Sequence, residues 1–327
     1  MSDLPKFVTI KEEGPREGFQ IEKGPISTDQ KVQLIDALSK TGLPQIVVCS
    51  FVNPKVVPQM ADADEIVKRI TRQPGVKYTG VWLNEKGLER AKATGVLDIS
   101  GSITLTASET FLKRNQNSSF EHNLAEAGRI AQNFAASNIP VTTVGVASAF
   151  GCNFDGDIPL PRVLSLIEAG FGIAKENGLN PERINLLDTM GWATPAMVRK
   201  VVGAIRERYP DKNIGLHLHD TRGMGIANAY AGLEMGVSSF DACVGGLGGC
   251  PFAGNKGAAG NVCTEDLVFM LNEMGIETGI DLDKLIDCSV LAEEIVGHPL
   301  PGQVKIGGNL DRLRERAKAA RQAEAAA

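Results

Sequence analysis

The chain has 327 residues, 43% of them hydrophobic, with 34 Lys or Arg against 39 Asp or Glu and a formal net charge of −5 at pH 7. This composition can bury a sizeable core, which excludes a disordered chain, and its mildly acidic balance excludes the basic footprint of a nucleic-acid binder. No apolar run reaches the ~18 residues of a membrane span, and the N-terminal MSDLPKFVTI carries neither a secretory nor a transit pattern, so a cytoplasmic protein is expected.

Short β-rich apolar runs recur along the chain, each followed by a segment of helical period. Phe7–Lys11 is the first predicted strand, and its helix over Thr28–Thr41 is opened by Ser27 and followed by Gly42. Strand Gln45–Ser50 precedes helix Gln59–Arg72, Val76–Leu83 precedes Lys86–Thr94, and Leu97–Thr106 precedes Phe120–Ala136. Val141–Ala149 leads to Leu160–Asn177, and Ile184–Asp188 leads to Thr194–Tyr209. Ile214–Asp220 leads to Ile226–Met235, and Ser239–Gly245 to Thr264–Met274. Strands alternating with helices imply right-handed crossovers and a parallel sheet. Eight such units predict an α/β fold of the closed (β/α)8 TIM-barrel type, since no strand is followed by the G-x-G-x-x-G turn of an open dinucleotide-binding sheet. Asp281–Val296 and Leu310–Ala326 read as two further helices. The expected organisation is a catalytic barrel over 1–280 with a C-terminal helical extension over 281–327 packed on it.

In such a barrel the working residues come from the C-terminal ends of the strands. Two of only four histidines stand in Leu216-His217-Leu218-His219-Asp220, on the seventh strand. Period-2 alternation puts both on one face, ~6.6 Å apart. That spacing suits two ligands of one metal ion, or a pair of satisfied structural histidines. Oxygen donors from other strand ends would complete a metal site, and Glu17 after strand one and Asn261 after strand eight are the candidates. Imidazole with oxygen suits Mg²⁺ or Mn²⁺, and Zn²⁺ and Co²⁺ also fit. Arg16 is either a solvated turn residue or a fixed positive charge aimed at an oxyanion. Asp188 ends strand six and can bind substrate, orient a ligand histidine or cap a loop, while Asp220 reads as the cap of the following helix. The glycine-rich run Gly245-Gly246-Leu247-Gly248-Gly249 lacks the Lys and Ser/Thr of a P-loop. It ends at Cys250, which is either a buried hydrophobe or a general acid or base. The six cysteines form no C-x-x-C pair and read as reduced thiols.

Taken together and in order, these segments resemble the hydroxymethylglutaryl-CoA lyase family of metal-dependent barrel enzymes. The likeness runs over roughly residues 6 to 300 and rests on Gly14-Pro15-Arg16-Glu17-Gly18, Ser50-Phe51-Val52-Asn53-Pro54-Lys55 and Asp188-Thr189-Met190-Gly191. His217-Leu218-His219-Asp220, Gly246-Leu247-Gly248-Gly249-Cys250-Pro251 and Gly260-Asn261 complete it. The resemblance implies retro-Claisen cleavage of 3-hydroxy-3-methylglutaryl-CoA to acetoacetate and acetyl-CoA. It implies a divalent metal ion on Glu17, His217, His219 and Asn261, with Arg16 offsetting enolate charge and Cys250 moving a proton. Asp188 is a further expected catalytic residue, the base is His217 or the carboxylate at 17, and Arg114 and Asn115 match positions facing the CoA moiety. An acyl-CoA substrate is the implied partner, and a homodimer or higher homo-oligomer follows from the base rate of symmetric assembly.

Three departures lie at the active-site end. Glu17 stands where the family usually has Asp, Val47 stands where the lyases usually carry Glu, and the stretch from Cys250 to Asn261 is two residues longer. They raise citramalyl-CoA, or another 3-hydroxy-3-substituted acyl-CoA, as the alternative substrate. A Claisen-condensing synthase and a non-catalytic metal-binding barrel are further alternatives, and Arg16 with Cys250 argues against the last.

Overall fold

The structure is a computed structural model that describes residues 4–82, 84–249 and 259–326. Strand β1 (Thr9–Glu12) leads through a π-helical turn (Gly14–Gly18) to α1 (Thr28–Leu38), and β2 (Gln45–Ser50) leads to α2 (Ala63–Arg69). Next come β3 (Lys77–Val81), α3 (Glu85–Ala93), β4 (Gly101–Thr106), α4 (Glu109–Gln116) and α5 (Phe120–Ala136). The pairs β5 (Val141–Ala147) with α6 (Leu160–Glu176) and β6 (Arg183–Leu187) with α7 (Pro195–Arg208) follow. Strand β7 (Asn213–His217) precedes α8 (Gly225–Glu234), and β8 (Ser239–Ala242) precedes α9 (Thr264–Glu273). The chain continues as α10 (Leu282–Val296), α11 (Val304–Gly307) and α12 (Leu310–Ala326). The buried residues of α10, Leu282, Leu285, Cys288, Ser289, Ala292 and Ile295, recur at helical spacing and make the face that packs against α1.

All ladders are parallel, in the order β3-β2-β1-β8-β7-β6-β5-β4, which is the cyclic order of a (β/α)8 barrel with one junction left without a ladder. Asp98 bridges that junction. Its N–H donates to the Tyr78 carbonyl at 2.8 Å, and its Oδ2 accepts the Tyr78 N–H at 2.9 Å and Arg72 at 3.0 Å. The fourth strand, expected from Leu97, therefore starts at Gly101: residue 98 is engaged with β3 through both main chain and side chain. Asp98→Ala leaves the Tyr78 N–H without its acceptor, and a loss of about 1–3 kcal/mol of stability is expected. Urea unfolding measures it, and an unchanged midpoint would show that the seam does not depend on this carboxylate.

Alternation sorts the strand residues into two layers. A Cβ on Gly101 would lie 2.6 Å from the Phe134 ring of α5, so Ile103 and Leu105 also face the helices while Ser102 and Thr104 face the barrel axis. The axis is polar: Asn185 donates to Asp241 at 3.3 Å, and Lys11 pairs with the same carboxylate.

Glu12 ties the first strand to the last. It is fully buried, its Oε1 accepts from the N–H groups of Gly14 (2.8 Å) and Val244 (2.9 Å), and its Oε2 accepts from Thr264 Oγ1 (2.7 Å). Burial pushes its pKa up to about 7 against those three donors. A carboxyl raised in the folded state stabilises fully below its unfolded pKa, and that contribution is lost as pH rises through the folded one. Glu12→Gln, an amide that still accepts on Oε1, is expected to gain about 3 kcal/mol on the parent between the ordinary 4.5 and 7. Unfolding titrations across that window measure the gain, and a pH-independent difference between the two proteins would rule it out.

Candidate metal and active site

Glu17 and Arg16 sit in the π-helical turn after β1, a wide turn of the kind that recurs at functional sites. The turn reaches the end of β7. Glu17 Oε1 lies 3.5 Å from His217 Nε2 and 3.5 Å from His219 Nε2. The two imidazoles meet edge to face with centroids 5.2 Å apart, and both are buried. Alternation therefore places them as expected, although the ladder of β7 stops at His217, short of the expected Asp220. Beyond it the chain pairs with the segment after β8: His219 bridges Asn261, the Asp220 N–H donates to Gly260, and the Val262 N–H donates to Leu218. Strand eight likewise stops at Ala242 rather than Gly245, because Val244–Gly246 turns as a 3₁₀ segment with Gly245 at φ 67°.

Two donor atoms of this cluster are left over by what the other atoms of their side chains do. His219 Nδ1 lies 2.5 Å from the Asp188 carbonyl, which can only accept, so Nδ1 carries a proton and donates it there, and Nε2 is the ring atom turned toward Glu17. His217 Nδ1 donates to Asp241 Oδ2 at 3.2 Å. The Asn261 amide nitrogen donates to Glu17 (3.0 Å) and to the Leu247 carbonyl (3.2 Å), leaving Oδ1 over. His219 Nε2 and Asn261 Oδ1 are buried and without a hydrogen-bond partner among the described residues, as are Arg16 Nε and Asp188 Oδ2. Buried polar atoms are ordinarily paired. Orphans gathered on imidazole and oxygen donors fit a divalent ion, and the ligand atoms of Glu17, His217 and His219 all lie within 4.8 Å of one another. Glycine makes this approach passable: a Cβ on Gly260 would lie 1.7 Å from the Gly248 carbonyl oxygen.

Opposed charges set the electrostatics. Burial would raise the Glu17 carboxyl, but His217 and Arg16 hold it well below the usual carboxylate range. Burial would also discharge His217, yet Glu17 and Asp241 push it up to about 10. Asp241 is held below its ordinary value against burial by Lys11 and His217. Arg16 bridges Glu13 and Glu17, the latter at 3.1 Å.

Asp188 is buried at the end of β6 and plays two of the three roles open to it. Its carbonyl orients His219, and its Oδ1 caps the loop by accepting from the N–H groups of Trp192 (2.7 Å) and Ala193 (3.0 Å). Burial raises its pKa, opposed by His219 and the two amides. Asp220 Oδ1 accepts the Gly225 N–H at the start of α8 from five residues upstream, while the N-cap position itself is Met224, which makes no side-chain cap. Arg114 and Asn115 lie on α4, beyond the C-terminal end of β4, with the Arg114 guanidinium 4.3 Å over the Phe154 ring. Neither bonds to the metal-ligand candidates among the described residues. Cys250 lies outside the described residues. The sequence reading missed Asp241, Lys11 and Glu13, whose signal was charge inside predicted strands or directly at their ends.

The HMGL-like family model matches residues 8–291. Hydroxymethylglutaryl-CoA lyase YngG of Bacillus subtilis is 40% identical over 299 residues, covering 91% of this chain and 96% of that one. The mitochondrial hydroxymethylglutaryl-CoA lyase of Gallus gallus is 42% identical over 284 residues, covering 87% and 92%. Among solved structures, an HMG-CoA lyase from Acinetobacter baumannii in complex with coenzyme A and 3-methylmalate superposes with a TM-score of 0.83 at 37% identity, over 94% of this chain and 97% of that one. With its eight-stranded barrel and its cluster of imidazole and oxygen donors at the strand ends, the chain belongs to the HMGL-like family and is a carbon–carbon lyase.

Proposed function

We propose that this chain cleaves 3-hydroxy-3-methylglutaryl-CoA to acetoacetate and acetyl-CoA with the help of a divalent metal ion, Mg²⁺ or Mn²⁺ being the first choices and Zn²⁺ or Co²⁺ the next. The observation that carries this reading is the pair of buried, unpartnered atoms, His219 Nε2 and Asn261 Oδ1, beside Glu17 and His217. These four residues would hold the ion, whose chemistry when bound is to acidify the tertiary hydroxyl of the substrate. The residues of the chain supply the rest. His217 or the Glu17 carboxylate takes the hydroxyl proton, and the hydroxyl carbon becomes the ketone of acetoacetate. The bond to the thioester α-carbon breaks, and its electron pair passes to the acetyl-CoA enolate. Arg16 offsets that charge with a buried guanidinium whose Nε–H has no other acceptor. Cys250 returns a proton to the α-carbon, Asp188 keeps His219 aimed, and Arg114 and Asn115 contact the CoA moiety.

Residues 1–280 serve as the catalytic domain and 281–327 as its helical extension. The five described cysteines, Cys49, Cys152, Cys243, Cys263 and Cys288, are free thiols, which supports a reducing, cytoplasmic compartment. No helix among the described residues is long and apolar enough to cross a membrane. A homodimer is the expected assembly.

The test is to incubate the protein with Mn²⁺ and a panel of 3-hydroxy acyl-CoAs and to identify both products by mass spectrometry. Acetoacetate with acetyl-CoA from the hydroxymethylglutaryl thioester is the expected result. Citramalyl-CoA belongs in the panel because Val47, buried in β2, leaves that strand end without a carboxylate. No cleavage of any member, with Mn²⁺ binding shown by calorimetry, would overturn the reading.

A further inference from the structure

A closed circuit of six ionisable side chains runs through the candidate site and beneath it. Lys11 Nζ is 2.8 Å from Glu13 Oε1 and 3.2 Å from Asp241 Oδ1. Asp241 Oδ2 is 3.2 Å from His217 Nδ1, and His217 Nε2 is 3.5 Å from Glu17 Oε1. Arg16 completes the loop with one contact to Glu17 at 3.1 Å and one to Glu13. Arg16, Glu17 and His217 belong to the proposed machinery, and Asp241 holds His217. Lys11, on β1, and Glu13, directly after it, have no part in the chemistry described so far.

Stability is a poor reason for them. Replacing a buried ion pair with well-packed apolar side chains is often neutral or stabilising, and barrel interiors are ordinarily filled by branched apolar residues. What a closed circuit of contacts supplies is direction. A guanidinium nitrogen shared by two carboxylates is held in place between them. A carboxylate anchored by an ammonium on one oxygen keeps its other oxygen on the imidazole, and such outer partners set the orientation of a ligand histidine. Both effects converge on one ion pair, because Glu13 touches Arg16 and Lys11 touches Asp241.

We propose that Lys11 and Glu13 are positioning residues of the lyase: Glu13 aims Arg16, and Lys11 anchors Glu13 and Asp241, so that Arg16 and His217 are set from a single ion pair at the end of β1. This deepens the proposed function and rests on it.

Three readouts on Lys11→Met, Glu13→Gln, Lys11→Arg and the apolar double variant Lys11→Met/Glu13→Val test it: kcat and KM, calorimetric Mn²⁺ affinity of metal-free protein, and Tm. Glu13→Gln is expected to lower kcat by about 10–100-fold with KM within about threefold. Lys11→Met should lower both kcat and Mn²⁺ affinity by about 10–100-fold, and Lys11→Arg should restore them. The double variant should keep the parent's Tm or exceed it while kcat stays at least about tenfold down. A double variant with the parent's kcat and Mn²⁺ affinity overturns the proposal, as does kcat loss that only follows loss of folded protein. If Lys11→Met does not fold, the double variant decides. If the parent cleaves no acyl-CoA, the functional reading fails separately, and unchanged Mn²⁺ affinity in Lys11→Met still overturns the positioning role.

Discussion

Replacing His219 with Ala is expected to lower kcat by about 10³-fold while the barrel stays folded. Lewis-acid help at the reacting oxygen is worth several kcal/mol, and each 1.36 kcal/mol is a factor of ten in rate. His219 is a buried imidazole with one nitrogen fixed by the Asp188 carbonyl at 2.5 Å and the other without a hydrogen-bond partner among the described residues, so Ala removes one donor atom of the cluster. The ring lies past the last ladder pair of β7, so its loss removes no strand hydrogen bond. Steady-state kinetics with added Mn²⁺, calorimetric Mn²⁺ titration and circular dichroism measure the outcome. Parent kcat with parent Mn²⁺ affinity would remove His219 from the ligand set.

Arg16→Gln carries the second large effect, a loss of about 10²–10³ in kcat with KM changed by no more than about threefold. The reason is the placement of one donor. Arg16 directs one terminal nitrogen, Nη2, to both Glu13 and Glu17, while Nε–H is buried and has no hydrogen-bond partner among the described residues. An unpaired buried donor is costly in the free enzyme and becomes an asset only when negative charge develops opposite it. Arg16→Lys should not rescue the rate, because lysine carries a methylene where arginine carries its Nε–H, so the unpaired donor is lost although the charge is kept. Full activity in the Lys variant would show that charge alone suffices.

The barrel was legible because its signal is periodic. Each unit joins a short β-rich run to a helical pattern, and six helix starts carry a side-chain cap, at Ser27, Asn84, Ser108, Ser119, Thr194 and Asp281. Helix α4 escaped for the opposite reason: its sequence ETFLKRNQ has no sustained apolar face, and only the Ser108 cap marks its start. The helix expected over 59–72 shrinks to Ala63–Arg69, because Pro58–Met60 turns separately as a 3₁₀ segment. The ligand candidates were legible as residue types at strand ends. Their partners were not. Asp241 reaches His217 across 24 positions, and Asn261 reaches Glu17 across 244, so nothing local announces either contact. The grip of Asp188 on His219 is main-chain, and no side-chain identity encodes it.

That last contact divides the two histidines in their evolutionary exposure. The proton on His217 Nδ1 faces a side-chain carboxylate, so one codon change at position 241 can free the ring to flip or to switch tautomer. The proton on His219 Nδ1 faces a carbonyl that every amino acid at position 188 would present. One half of the imidazole pair is therefore inherited with the shape of the backbone, and the other must be kept by selection on a single distant aspartate.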